Sequence, residues 1–93
     1  MPYPIAQHFI AGFREPSTPI SVQTLIQKNE IGGVILFSRN IESPKQVRAL
    51  NHSLQKISKI PLLIGVDQEG GRVARLREGF TLIPNMSVVG NYY

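Results

Sequence analysis

The sequence predicts an α/β protein built on a parallel sheet, because three short apolar runs alternate with two segments of helical periodicity. The runs are residues 8–13, 33–37 and 62–66. The second and third contain β-branched residues and no polar ones, so we expect strands covered on both faces. From the second run to the end of the third is about the length of one βαβ unit. The predicted order is therefore β-α-β-α-β.

The first helix is expected to begin at Ser17 or Thr18, because a hydroxyl side chain followed by proline is a common helix start. It is expected to end near Asn29, before two glycines. Apolar side chains recur three and four residues apart along it, which indicates a single buried face. That face consists of Val22, Leu25 and Ile26.

The second helix has a clearer start signal. Ser43 is the expected N-cap, Pro44 occupies the first helical position, and Gln46 lies three residues after the cap to complete a capping box. The spacings of the apolar residues that follow, three, four and three, place them on one face. They are Val47, Leu50, Leu54 and Ile57.

Composition limits the classes of function. A chain of 93 residues, 42% apolar and 17% charged, is one small folded domain at most and not a disordered segment. Without cysteine there is no disulfide, thiolate metal site or cysteine nucleophile. His8 and His52 lack a second histidine at ligand spacing, so we expect neither to be functional, and no metal or cofactor. No apolar run approaches a membrane span of roughly 20 residues, so we expect no membrane partner and no signal peptide.

Polar residues follow the second and third predicted strands, at the edge where parallel α/β folds bind ligands. Ser38–Asn40 follows the second strand, and a glycine-rich loop, residues 67–75, follows the third. A carboxylate such as Asp67 can accept hydrogen bonds from two neighbouring hydroxyls, and an arginine offers a fork of donors. Both residue types suit a sugar. Gly70 and Gly71 permit a sharp turn or a close approach to a ligand.

Structural roles fit the same residues equally well. Asp67 would also serve to cap the turn that follows it, and Glu69 and Arg72 would also fit a solvated ion pair. Glycine pairs mark turns more often than active sites. Neither a G-x-G-x-x-G motif nor a Walker lysine loop is present, so nothing supports a nucleotide site.

Two long motifs resemble a known family. Residues 31–41, IGGVILFSRNI, and residues 61–73, PLLIGVDQEGGRV, lie in register on either side of a helix, and the similarity continues through residue 84. They resemble the amino-terminal part of family 3 glycoside hydrolases, and are most similar to the bacterial β-N-acetylhexosaminidases (β-N-acetylglucosaminidases). The resemblance implies that residues 1–93 form a partial amino-terminal domain, with about three strands and two helices of a (β/α)8 TIM barrel of roughly 250 residues. We therefore expect the chain to be part of a longer barrel.

The resemblance also implies site residues. Asp67 matches the family's aspartate that binds hydroxyls of the terminal sugar, and Arg75 matches an arginine of the same sugar-binding site. The family's retaining mechanism uses an aspartate nucleophile and a histidine–aspartate acid and base, and no residue here matches them. The isolated chain is therefore expected to be inactive. For the complete enzyme the resemblance implies release of terminal β-linked N-acetylglucosamine, from peptidoglycan fragments in the cytoplasm.

Two other functions remain open. A non-catalytic module would pair its open sheet edges with another chain, such as the rest of the barrel. Nucleic-acid binding is suggested by the net charge of +4 and by Arg72, Arg75 and Arg77. Against it, the basic residues are spread over both helices and the loop, and no nucleic-acid motif is present. We therefore expect a carbohydrate partner and no nucleic acid.

Overall fold

The computed structural model describes residues 4–92, so the ends of the predicted 1–93 domain lie outside the described residues. Three parallel strands form one sheet, in which they lie side by side in the order of the sequence, and this confirms the predicted α/β class. No helix within residues 4–92 has the length and apolarity needed to cross a membrane. The elements are β1 (Ile10–Ala11), α1 (Ile20–Gln27), β2 (Gly33–Leu36), α2 (Pro44–Lys56), β3 (Leu63–Val66) and α3 (Met86–Gly90).

The core lies between the sheet and the two long helices. Val34 and Leu36 of β2 are buried, and they belong to one cluster with Ile26 of α1 and with Leu50 and Leu54 of α2. Side chains two residues apart on a strand share a face, so α1 and α2 cover the same face of the sheet. The predicted apolar face of α2 is confirmed, since Val47 and Ile57 also pack against this cluster.

The prediction that the strands are covered on both faces is wrong for the described chain. Leu63 of β3 is 71% exposed and Ile10 of β1 is 61% exposed, while Ile35 of β2 is half-buried. These residues lie on the face opposite Val34 and Leu36, which α1 and α2 do not cover. The apolar pattern therefore identified two apolar faces, of which the described helices cover one.

The first strand is shorter than predicted. Residues Ile5–His8 form a 3-10 helix, and only Ile10–Ala11 pair with β2. The reason is a set of contacts with the segment that enters β2. The Gln7 side-chain amide donates to the Glu30 and Ile31 carbonyls, and the Gly32 N–H donates to Ala6 O at 3.1 Å.

The predicted hydroxyl cap of α1 is also wrong. Pro19 is the N-cap residue, and its carbonyl accepts from the Val22 and Gln23 amides at 3.1 and 3.0 Å. Thr18 Oγ1 is buried and has no hydrogen-bond partner within residues 4–92. The helix ends at Gln27, close to the predicted end near Asn29.

The start of α2 is as predicted, with one difference. Ser43 Oγ accepts the Gln46 amide at 3.1 Å, and Pro44 is the first helical residue. Gln46 Oε1, however, accepts the Glu42 amide at 2.8 Å, one residue earlier than the predicted capping box requires. Gln46 Nε2 donates to the Pro16 and Asn40 carbonyls, both at 2.8 Å, so the cap also joins α2 to the loops before it.

Ser43→Ala is expected to lower the free energy of unfolding by about 1 kcal/mol, because the substitution removes the acceptor for the Gln46 amide. Urea unfolding followed by circular dichroism measures this. The control is Ser21→Ala in α1, an exposed residue whose hydroxyl makes no hydrogen bond within the described chain. Equal unfolding midpoints for the two variants would contradict the cap.

Candidate sugar-binding site

The carboxyl ends of β2 and β3 lie side by side. Leu36 is opposite Val66 in the parallel register, so the next residues, Phe37 and Asp67, are neighbours at this edge. Phe37 continues the extended backbone, with φ −122° and ψ 176°. Alternation along the strands therefore places both side chains on the face that α1 and α2 leave uncovered. A Cβ on Gly12 would contact Ile35 and Phe37 together, at 3.6 and 3.8 Å, which agrees with this placement of the ring.

The Asp67 carboxylate is not used in holding the fold together. It is half-buried, and it makes no hydrogen bond or ion pair with residues 4–92. The structure therefore does not show the alternative role of Asp67 as a cap for the following turn. Asp67 remains an acceptor without a donor at the strand-end edge, where the sequence predicted a ligand contact.

The turn after Asp67 is formed by backbone hydrogen bonds instead. Glu69 N and Gly70 N both donate to Val73 O, at 2.8 and 3.0 Å, and Gly70 pairs with Val73 in an antiparallel bridge. Gly70 and Gly71 have φ of 90° and 58°, in the left-handed region that favours glycine. The predicted sharp turn at this glycine pair is confirmed.

Gly71→Ala is expected to lower the free energy of unfolding by about 2 kcal/mol. An alanine at this position would have to adopt the left-handed φ of Gly71, which is unfavourable for residues with a side chain. Its Cβ would also overlap Asn85 Oδ1. Gly65→Ala is the matched control, because a Cβ there has nothing within 4 Å and the φ is ordinary, so its change stays within about 0.5 kcal/mol. Thermal or urea unfolding compares the two, and equal losses would contradict this account of the turn.

Gln68 joins the two sides of the loop. Its Oε1 accepts from Arg75 N at 2.8 Å and Leu76 N at 3.0 Å, and its Nε2 donates to Leu76 O at 3.1 Å. Sequence reasoning did not assign this role. The only signal was the position of Gln68 in the polar loop, which does not distinguish a buried contact from an exposed side chain.

Arg75 lies against the ring of Phe37. Its guanidinium carbon is 5.8 Å from the ring centroid, and that of Arg39 is 4.8 Å from the same centroid. Such contacts stabilise a cation by about 0.5–1 kcal/mol at exposed sites. Arg75 Nε is buried and has no acceptor among residues 4–92, whereas Arg39 Nε donates to Phe13 O at 3.0 Å. The structure therefore brings Arg75 to the ring that neighbours Asp67.

Asn40 holds the loops that follow β1 and β2 together. It is fully buried, and its Nδ2 donates to Phe13 O at 2.9 Å and Glu15 O at 2.8 Å. Its Oδ1 accepts from Phe37 N at 2.8 Å. The amide thus fixes the backbone from which the Phe37 ring projects. The sequence placed Asn40 in a strand-end loop and did not predict its burial.

The other charged residues of the loop have different surroundings. The predicted alternative of a Glu69–Arg72 ion pair is not found among the described residues. The Arg77 guanidinium donates to the carbonyls of Ala74 and Gly71, at 3.1 and 3.2 Å, so it stabilises the turn. A shallow pocket of about 230 Å³ beside Glu69 and Arg72 does not include Asp67 or Arg75.

The chain is similar in sequence to proteins of a known family. Residues 10–92 match the glycosyl hydrolase family 3 N-terminal domain. A β-hexosaminidase from Alkalilimnicola ehrlichii is 54% identical over 71 residues, which are 76% of this chain and 20% of that protein. The chain thus spans about a fifth of the length of this curated relative.

Two solved structures superpose well on the chain. A fungal multi-domain family 3 β-N-acetylglucosaminidase has a TM-score of 0.87 at 43% identity, covering 92% of this chain and 11% of that one. NagZ from Neisseria gonorrhoeae, in complex with N-trifluoroacetyl-D-glucosamine, has a TM-score of 0.80 at 35% identity, covering 88% and 25%. The chain therefore belongs to glycosyl hydrolase family 3, and its fold matches the amino-terminal part of that family's (β/α)8 barrel domain.

Proposed function

We propose that this chain supplies the terminal-sugar contacts of a β-N-acetylhexosaminidase, a hydrolase that releases terminal non-reducing β-linked N-acetylglucosamine with retention of configuration. The observation that carries the proposal is a pair of polar groups at the strand-end edge without partners among residues 4–92. There the Asp67 carboxylate and the Arg75 Nε both lack a hydrogen-bond partner within the described chain, and both residues neighbour Phe37. The names of the relatives, β-hexosaminidase and β-N-acetylglucosaminidase, support the same activity.

The chemistry of the two side chains matches that of a pyranose. Neighbouring hydroxyls of a sugar can donate to the two oxygens of Asp67, and a sugar oxygen can accept from the guanidinium of Arg75. Hydrogen bonds to charged groups contribute about 1.5–3 kcal/mol each. A few such contacts therefore suffice to select a sugar at this edge.

The reacting groups are proposed to come from elsewhere in the barrel. Asp67 and Arg75 are binding residues in this proposal, and no residue of the chain is assigned as a nucleophile or as a general acid or base. Without those groups the covalent and proton-transfer contributions to rate are lost. The isolated chain is accordingly proposed to be inactive.

The uncovered face of the sheet supports the proposal that this chain packs against the remainder of a barrel. Ile10 and Leu63 expose most of their surface there, next to the half-buried Ile35. Both outer strands, β1 and β3, also have one edge without a pairing strand in residues 4–92. Further barrel strands would bury these apolar side chains and complete these edges. Residues 1–93 would then be one part of a family 3 domain.

The biological setting is part of the same proposal. The family resemblance favours fragments of peptidoglycan as the substrate and the cytoplasm as the location. No nucleic-acid or membrane partner is proposed. Of the three loop arginines that suggested nucleic acid, Arg75 lies against Phe37 and Arg77 donates to loop carbonyls, so two of the three have contacts within the chain.

A chimeric enzyme tests the proposal. This chain replaces the segment that it matches in the Alkalilimnicola ehrlichii β-hexosaminidase, and hydrolysis of 4-nitrophenyl N-acetyl-β-D-glucosaminide is measured. We expect activity, with the β-anomer of the sugar as the first product in a proton NMR time course. A chimera with the circular dichroism and melting behaviour of the parent enzyme but without hydrolysis would refute the proposed function.

A further inference from the structure

Arg75 is held at two points, its backbone and its guanidinium. Gln68 contacts the backbone, accepting from Arg75 N at 2.8 Å and from Leu76 N at 3.0 Å through one oxygen. The Gln68 amide nitrogen returns a hydrogen bond to Leu76 O at 3.1 Å. A side-chain amide is suited to this role because it both donates and accepts. Because Gln68 immediately follows Asp67, these bonds also fix the backbone of Arg75 relative to Asp67.

The guanidinium is held less firmly. It lies 5.8 Å from the centroid of the Phe37 ring, its Nε is buried without an acceptor, and no carboxylate of the described chain pairs with it. A cation–π contact is weak at a partly exposed site. The orientation of the guanidinium therefore depends on where the backbone of Arg75 is held.

We propose that Gln68 is a positioning residue for Arg75, and that its side-chain amide keeps the guanidinium over Phe37 in the orientation that receives the ligand. The inference rests on the proposed function, in which Arg75 binds the sugar. An arginine ordered before the ligand arrives does not lose that side-chain freedom on binding, and affinity is correspondingly higher. Gln68 itself touches neither substrate nor reacting atoms in this proposal.

The chain contains a matched control for Gln68. Gln55 of α2 makes the same kind of contact, since its Oε1 accepts from Leu62 N at 2.9 Å and its Nε2 donates to Leu62 O at 2.8 Å. Leu62 precedes β3, so these bonds lie at the opposite end of that strand from Asp67. Gln55 Oε1 also accepts from Ser58 Oγ at 3.4 Å, so Gln55→Ala, like Gln68→Ala, removes three hydrogen bonds, but far from the strand-end edge.

The first measurement is the mobility of the Arg75 side chain in the 93-residue chain, by ¹⁵N relaxation of its Nε–H group. We expect a low-mobility signal in the wild type and in Gln55→Ala, and a flexible one in Gln68→Ala. Gln68→Asn, which keeps the amide but shortens its reach by one methylene, is a milder change and must give the same loss of order. Unchanged order of Arg75 in either Gln68 variant, or equal loss in Gln55→Ala, would overturn the proposal.

The second measurement is a double-mutant cycle in the chimeric enzyme described above. Gln68→Ala is expected to lower kcat/KM about tenfold in the wild-type background and to have no further effect when Arg75 is already alanine. Full additivity of the two losses would overturn the positioning role. If Arg75→Ala alone leaves kcat/KM unchanged, the proposed function of Arg75 fails, while the relaxation measurement still decides whether Gln68 orders it.

Discussion

Asp67→Ala in the chimeric enzyme is expected to lower kcat/KM for 4-nitrophenyl N-acetyl-β-D-glucosaminide by about 10²–10³-fold. The reason is the loss of two hydrogen bonds from sugar hydroxyls to a charged acceptor, which together stabilise the transition state by about 3–4 kcal/mol. Because the carboxylate makes no hydrogen bond or ion pair within the described chain, the free energy of unfolding should change by less than about 0.5 kcal/mol. Initial rates and urea unfolding measure the two quantities.

Glu69→Ala is the control for Asp67→Ala. Glu69 belongs to the same loop, is exposed, and makes no ion pair within residues 4–92, so the two substitutions remove the same charge from neighbouring positions. We expect kcat/KM of the Glu69 variant to stay within about threefold of the wild type. Equal kcat/KM values for the two variants would contradict the role of Asp67.

Asn40→Ala is expected to lower the free energy of unfolding of the chain by about 3 kcal/mol. The substitution leaves the Glu15 carbonyl and the Phe37 amide without their partner, at a position that is 0% exposed. It also removes one of the two donors to the Phe13 carbonyl, which keeps only the bond from Arg39 Nε. Unpaired buried groups cost about 1–3 kcal/mol each, and small domains are stable by only about 5–15 kcal/mol. Urea unfolding at 25 °C measures the loss.

Asn29→Ala serves as the control for Asn40→Ala. Asn29 is exposed two residues after the end of α1, and its side chain makes no hydrogen bond within the described chain, so its change should remain within about 0.5 kcal/mol. Similar unfolding curves for the two variants would show that the Asn40 amide does not hold the strand-end loops.

Features set by neighbouring residues were predictable from the sequence. The start of α2 depends on Ser43, Pro44 and Gln46, which lie within one turn, and its apolar face follows from the helical repeat. The length of β1 was not predictable in the same way. It depends on Gln7 reaching the Glu30 carbonyl, 23 residues away in the chain, and no local pattern encodes such a contact.

The same distinction between local and long-range contacts holds for the candidate site. The strand-end rule and the family resemblance predicted where Asp67 and Arg75 lie, because both residues follow β3 directly or within its loop. The supporting residues were not predicted. Asn40 bonds to a carbonyl 27 residues earlier, and Gln68 bonds to backbone seven and eight residues later, so their roles exist only once the chain is folded.

A crystal structure of the chimeric enzyme with bound N-acetylglucosamine tests the central claim most directly. We expect the Asp67 oxygens to lie within about 3.2 Å of two sugar hydroxyls and the Arg75 guanidinium within the same distance of a sugar oxygen. We also expect the Phe37 ring to remain under Arg75. A sugar bound with both side chains more than about 4 Å from it would contradict the assignment of this edge as the terminal-sugar site.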